Sequence, residues 1–292
     1  MLRDTLRGQD AQITAVLALI AQAAPDIIAL QGIDFDAEMR ALTALRDALA
    51  ARGHDMPHAY ALPSNAGLAS GLDLNGNGRL GDADDNHGYG RFTGAGAMAL
   101  LSRHPIDRDA VQDFTPMLWR DLPGHLYPTD GNTPFAGTRA FAAHRLSSKG
   151  HWSVPVDTPQ GPVTLWTWHA TPPVFDGPED RNGRRNHDEA AFWLSRLGTT
   201  DAPLVLLGTA NIDPDRGEGR PAAITSLLTH PRLQDAHGPA PTADFRDPSP
   251  GDLRVDYLLP STHWRITDHG RLTDPEASRH DLLWVDLEPA DP

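Results

Sequence analysis

At 292 residues the chain has room for one large α/β domain or two small ones, and 39% hydrophobic with 22% charged residues is an ordinary globular balance. No window approaches the roughly 18 consecutive apolar residues of a membrane span, and a net charge of −14 argues against non-specific binding to duplex DNA, which wants a basic face. The absence of cysteine removes disulfides, thiolate metal sites and cysteine nucleophiles together, and leaves the compartment open.

The opening "MLRDTLRGQD" has no apolar core after its charges, so as written it is not a secretory signal. A secreted or periplasmic location would need a signal upstream of it. Over residues 10–24, Ile13, Val16, Leu17 and Ile20 recur at helical spacing, which predicts an amphipathic helix that Pro25 ends. "DIIALQ" (26–31) then suits a buried strand, and helix-then-strand begins a layered α/β fold. A second helix is expected over 37–52, a long Gly/Asn/Asp-rich loop over 64–96, and a strand at "AMALLSR" (97–103).

Residues 104–150 are irregular and punctuated by proline, and read as a surface excursion. "HWSVPVDTPQGPVTLWTWHA" is a hairpin: two runs rich in β-branched and aromatic residues around Pro-Gln-Gly-Pro. A helix at about 187–197 follows, then strands at "PLVLLGTAN", "LRVDYLLPS" and "DLLWVDLEP". A helix opened by proline is expected at 221–231, and a coiled stretch at 236–252. Strands on both sides of that coil are needed for one sheet, so residues 1–292 are read as one domain.

Four strand ends carry residues capable of chemistry. His169 closes one strand, Thr209 and Asn211 close another, Asp256 lies within a third, and Arg279 and His280 open the last. Ligands of layered α/β proteins gather where loops leave strand ends. Two histidines, an amide and a carboxylate can bind a phosphate, stabilise its developing charge and protonate a leaving oxygen.

Taken together and in order, "PDIIALQGIDFD", "MALLSRHPI", "WHATPPVFDGPEDRNGRRNHDEAAFW", "LVLLGTANIDPDRGEGRP", "LRVDYLLPS" and "SRHDLLWVDL" resemble the endonuclease/exonuclease/phosphatase superfamily over nearly the whole chain. The resemblance implies a deoxyribonuclease-like, four-layer α/β/β/α sandwich with its site at one edge of two packed sheets. It also implies a hydrolase of the phosphoesterase kind (nuclease, phosphodiesterase or phosphatase) that depends on Mg²⁺ or Mn²⁺. By the same resemblance His169 binds the scissile phosphate, Asn211 is the asparagine of Gly-Asp-x-Asn, and Asp256 orients the catalytic His280.

The departures fall on acids. The family's metal-binding glutamate falls at Gly32, the water-positioning aspartate at Thr209, and the aspartate of Ser-Asp-His at Arg279; the family's first strand would lie before Met1. Mg²⁺ is held by carboxylates and water, so these exchanges leave the usual metal ligands without charge and add a guanidinium beside them. Asp34, two residues beyond Gly32 and on the same strand face, and Asp213 beyond Asn211, either supply an acid from a shifted position or serve their loops.

Two further features bear on ligands. "DLNGNGRLGDAD" has the spacing of a calcium loop, with Asp73, Asn75 and Asn77 at alternate positions, Gly78 at the turn and Asp84 closing it, which would hold a weak structural Ca²⁺. Arg181, Arg184 and Arg185, placed in a loop before a helix, either meet phosphate oxygens or pair with Asp176, Glu179, Asp180 and Asp188. The expected function is a phosphoesterase with a degenerate metal site, acting on a phosphodiester or a phosphorylated small molecule. Its rival is an inactive relative that binds a phosphorylated ligand or a protein partner.

Overall fold

In a computed structural model of the chain, which describes residues 2–246 and 250–290, the first long apolar stretch breaks where Pro25 demands it. A short helix α1 (Leu2–Arg7) precedes α2 (Ala11–Ala23). Asp10 caps α2 by accepting from the Ile13 amide at 2.9 Å, and Ala24 leaves it in the left-handed conformation at φ 47°. There follow β1 (Ile27–Ile33), α3 (Arg40–Ala50), β2 (His58–Tyr60) and β3 (Ala97–Ser102). The middle of the chain gives β4 (Gln112–Asp113), β5 (Thr129–Asp130), β6 (Thr133–Pro134), α4 (Gly137–Ala143) and the hairpin of β7 (His151–Thr158) with β8 (Gly161–His169). The last third gives α5 (Arg181–Leu197), β9 (Leu204–Thr209), α6 (Ala222–Leu228), β10 (Ala243–Phe245), β11 (Gly251–Leu253), β12 (Asp256–Pro260), β13 (Trp264–Leu272) and β14 (Leu282–Pro289).

Two sheets dominate. One is antiparallel in the order β1-β3-β2, and the other has the order β12-β9-β8-β7-β4. In the second sheet β8 and β9 pair in parallel, because α5 carries the chain back between them. Period-two alternation on β3 sets the layering. Ala99 and Leu101 pack with Leu17, Ile20, Leu42 and Leu45 of α2 and α3, whereas Met98 and Leu100 turn to Trp152, Val154, Leu165 and Val205 of the second sheet. The outer face of that sheet, with Trp166, Trp168 and Leu206, buries Phe192, Trp193 and Leu197 of α5 and Ile224 and Leu227 of α6.

Among the described residues β1 pairs only with β3 and β14 only with β13, so each keeps an open edge. Both strands line one cavity of about 1110 Å³, together with α2, β9 and β12. This is why Ile27, Ile28, Ala29 and Leu30 remain only half-buried although they lie between layers. The same cavity reaches His169, Thr209, Asp256 and His280.

Several expectations need correction. Residues 104–150 are no surface excursion: Trp119, Leu122, Tyr127 and Leu146 are buried in the cluster under α5, and the Trp119 indole donates to Asp188 at 2.6 Å. Without periodicity, only those large apolar side chains signalled that the segment packs. Helix α5 begins at Arg181, so the three arginines occupy its first turns and not a preceding loop. Within the coil at 236–252, β10 and β11 pair, while residues 247–249 lie outside the described residues. Strand β13 went unread because its polar, mostly exposed "WRITDHGRL" lacks an apolar face; pairing with β14 makes it a strand.

Candidate active site

Strand register builds the site. His169 at the end of β8 pairs with Thr209 at the end of β9, and Thr209 pairs with Asp256 at the start of β12. Three neighbouring strands thus deliver the three side chains in one row, roughly 10 Å across at the Cα atoms. Gly208 makes the approach possible: a Cβ there would stand 2.0 Å from the Trp168 carbonyl oxygen. Gly208→Ala is therefore expected to cost more than about 1 kcal/mol, and to disturb the row at Thr209; a urea melt and a phosphate-binding titration on the variant check both.

Asp256 is fully engaged. Its Oδ1 accepts from the Thr209 hydroxyl at 2.6 Å, and its Oδ2 accepts from Thr242 at 3.0 Å and from His280 Nδ1 at 2.8 Å. Burial alone would pull His280 down, but the hydrogen bond and charge of Asp256, with Asp281 behind, carry its pKa above the ordinary histidine value against the repulsion of Lys149. His169 goes the other way. Burial, then the positive charges of Lys149 and His280, hold it well below the ordinary value. Its Nδ1 donates to Gln31 Oε1 at 3.0 Å, which leaves Nε2 of a neutral ring as an acceptor.

Asn211 follows in a left-handed turn at φ 55°, and its amide donates to the Ala170 carbonyl at 2.8 Å, so the side chain is fixed across the ends of β8 and β9. A histidine kept neutral by burial, a histidine whose charged form a carboxylate favours and a pinned amide suit the handling of an anion that must gain and lose protons.

The chain matches the model of the Endonuclease/Exonuclease/phosphatase family over residues 1–280. It belongs to this family. Among solved structures it resembles an endonuclease/exonuclease/phosphatase from Beutenbergia cavernae at 20% identity and a TM-score of 0.63, covering 95% of this chain and 66% of that one. A family protein from Leptotrichia buccalis follows at 17% identity and a TM-score of 0.57, covering 96% and 94%. The catalytic domain of human Nocturnin, solved with a bound sulfate anion, gives 13% identity and a TM-score of 0.55, covering 97% and 87%. At these identities the likeness shows the deoxyribonuclease-like fold. No curated protein sequence matches the chain.

Within this family member, the positions that the resemblance gives to metal-binding and water-positioning acids hold Gly32, Thr209 and Arg279. Gly32 lies in an irregularity of β1 at φ 77°, and a Cβ added there would meet nothing within 4 Å. Asp34 accepts from the Gly96 amide at 3.1 Å. Asp213 accepts from the amides of Asp215, Arg216 and Arg254, and so shapes its own loop. Arg279 is exposed, and its carbonyl accepts from the Asp244 amide. Among the described residues no three His, Asp or Glu side chains converge to hold a metal. Asp256 is the carboxylate of the row, and its oxygens are engaged by Thr209, Thr242 and His280.

The arginines of α5 do other work. Arg181 donates to the Leu74 carbonyl, Arg184 to the carbonyls of Glu179 and Leu126, and buried Arg185 to four carbonyls, those of Leu146, His87, Arg145 and Ser147. These guanidiniums tie loops to the helix. In the loop at 73–84, Asp73 accepts from the amides of Asn77 and Gly78, Asn75 from Asn77, and Asn77 from Arg79. Asp84 is raised above the usual carboxylate value by burial, against the Arg181 charge, and by Asp82 and Asp85.

Sequence reasoning missed Lys149. Its ammonium reaches Gly96: a Cβ on that glycine would stand 3.4 Å from Nζ and 4.0 Å from the Gly32 Cα. The signal was present, since Lys149 is the only lysine among the 25 lysines and arginines of the chain.

Proposed function

We propose that this chain is a phosphoesterase that hydrolyses a phosphodiester, or a small phosphorylated molecule, by histidine acid–base chemistry. The observation that carries this reading is a pair of histidines, His169 in the strand-end row and His280 bonded to Asp256 of that row, pushed to opposite sides of the ordinary histidine pKa. A neutral base and a charged acid at one site is the arrangement that cleaving an ester bond requires.

In the reaction, water oxygen bonds to phosphorus as the phosphorus–ester oxygen bond breaks. His169 Nε2 takes the water's proton, and the imidazolium of His280, held by Asp256, gives its Nε2 proton to the leaving alkoxide. Proton exchange with solvent resets both rings. Thr209 cannot act as a base at neutral pH; its hydroxyl holds Asp256 in place. The acidic surface, at net charge −14, favours small substrates over duplex DNA. No helix among the described residues is long and apolar enough to cross a membrane.

The test is turnover of an alkyl phosphodiester, whose leaving alkoxide needs a proton, with a chelator present, the released alcohol followed against pH. His169 works deprotonated, so the rate falls as pH drops through a pKa well below 6.5; His280 works protonated, so the rate falls as pH rises through a pKa above 6.5. A bell that brackets 6.5 is expected. Turnover that vanishes with chelator and returns with Mg²⁺ would reject the mechanism. Diester binding without turnover would favour a binding protein, in keeping with the exchanges at Gly32 and Thr209.

A further inference from the structure

We propose that the Lys149 ammonium is the cation of this site, placed beside Gly32 to take a phosphoryl oxygen of the substrate. This deepens the phosphoesterase reading and rests on it.

The backbone around Lys149 is tied to the site. The Ser148 hydroxyl lies 3.2 Å from the His169 carbonyl oxygen, and the Gly150 carbonyl accepts from the His169 amide at 3.4 Å. The Lys149 carbonyl is itself held by the Asn65 amide at 3.0 Å and the Ser64 hydroxyl at 3.1 Å. The root of the side chain is thus fixed relative to the base. Its tip lies against Gly96 beside Gly32, where the absence of two side chains leaves room.

Among the described residues that ammonium has no hydrogen-bond or ion-pair partner. Glu189 is the carboxylate whose charge reaches it, but its oxygens are taken by the Ser148 amide and hydroxyl and the Thr171 amide. Lys149 is half-buried, and its three N–H donors are left unused by protein acceptors, so an anion that reaches the site can take them. Burial, offset by Glu189, lowers Lys149 to about 8, which leaves it mostly charged at neutral pH. It also depresses His169 and opposes His280, so it acts on both histidines of the proposed mechanism. A second cation beside it would be repelled, so the lysine and the missing acids are two sides of one exchange. Everywhere else the chain uses arginine, whose planar fork suits carbonyls and carboxylates; here it uses a compact point charge able to meet a phosphoryl oxygen.

Because Lys149 is the sole lysine, reductive methylation with ¹³C-formaldehyde labels one ε-amine beside the N-terminal amine, and both keep their charge. Addition of dimethyl phosphate is expected to shift the Lys149 signal and raise its titration midpoint. Lys149→Met should weaken dimethyl phosphate on the order of 10- to 100-fold, the loss of one charged hydrogen bond, while Lys149→Arg keeps most of the affinity. If dimethyl phosphate binds and His169→Ala abolishes that binding, but the Lys149 signal does not move and Lys149→Met binds as wild type, the proposal for Lys149 fails and the phosphoesterase reading survives. If dimethyl phosphate does not bind wild type at all, both fail.

Discussion

His280→Ala is expected to lower turnover of an alkyl phosphodiester by about 10²- to 10⁴-fold, the usual worth of a positioned general acid. The loss should shrink with a nitrophenyl ester, whose leaving oxygen needs no proton, and that difference separates acid catalysis from mere phosphate binding. Asp256→Asn gives the complementary result. Asparagine preserves much of the shape but removes the carboxylate charge that holds His280 above its ordinary value. The basic limb of the pH profile should then move toward acid, and the plateau that brackets 6.5 should narrow from its alkaline side. Thr209 and Thr242 would each lose an anionic acceptor, so the variant's melting temperature must be followed alongside its rate. A profile unchanged in Asp256→Asn would remove the dyad from the mechanism.

The strands at 26–31, 97–103 and 203–211 were legible because apolar runs between turn residues have few other destinations in a layered fold. The meeting of His169 and Asp256 was legible for a related reason: each sits at a strand end, and β-register sets both beside Thr209 without any long-range guess, while His280, before β14, joins them through its bond to Asp256. The arginines of α5 were not. Whether a guanidinium meets a phosphate or four carbonyls depends on loops far off in sequence, such as that of His87, whose carbonyl accepts from Arg185. Lys149 stayed hidden for the same reason. Nothing local in "SSKG" points to Gly96 or Gly32, which approach it only once the two sheets pack. Trp119 shows the opposite failure, a core residue in a segment whose prolines concealed its packing.

Arg185→Ala is expected to destabilise the fold by about 3–5 kcal/mol, the cost of leaving a buried partner charge unpaired. That corresponds to a fall of roughly 6–20 °C in melting temperature for a chain of this size. Arg185 is buried, its pKa is lowered by that burial to about 10, and it stands between four carbonyls and the charge of Glu189. Glu189 is pushed by burial up to about 7, against the pull of Arg185 and of the Ser148 and Thr171 donors. A carboxyl whose folded pKa is raised contributes stability that is full below its unfolded value near 4.5 and is lost as pH rises through 7. Removing Arg185 raises Glu189 further, so the loss should extend to higher pH, and the variant should suffer more at pH 8 than at pH 5. Arg185→Lys should rescue little, since an ammonium cannot span four carbonyls around a planar fork. Urea melts at the two pH values measure the effect. Below the variant's melting temperature, its affinity for dimethyl phosphate should match wild type, because these guanidinium bonds hold the loops of His87 and Arg145 and not the substrate. A variant that stays stable but loses the ligand would return Arg185 to the phosphate.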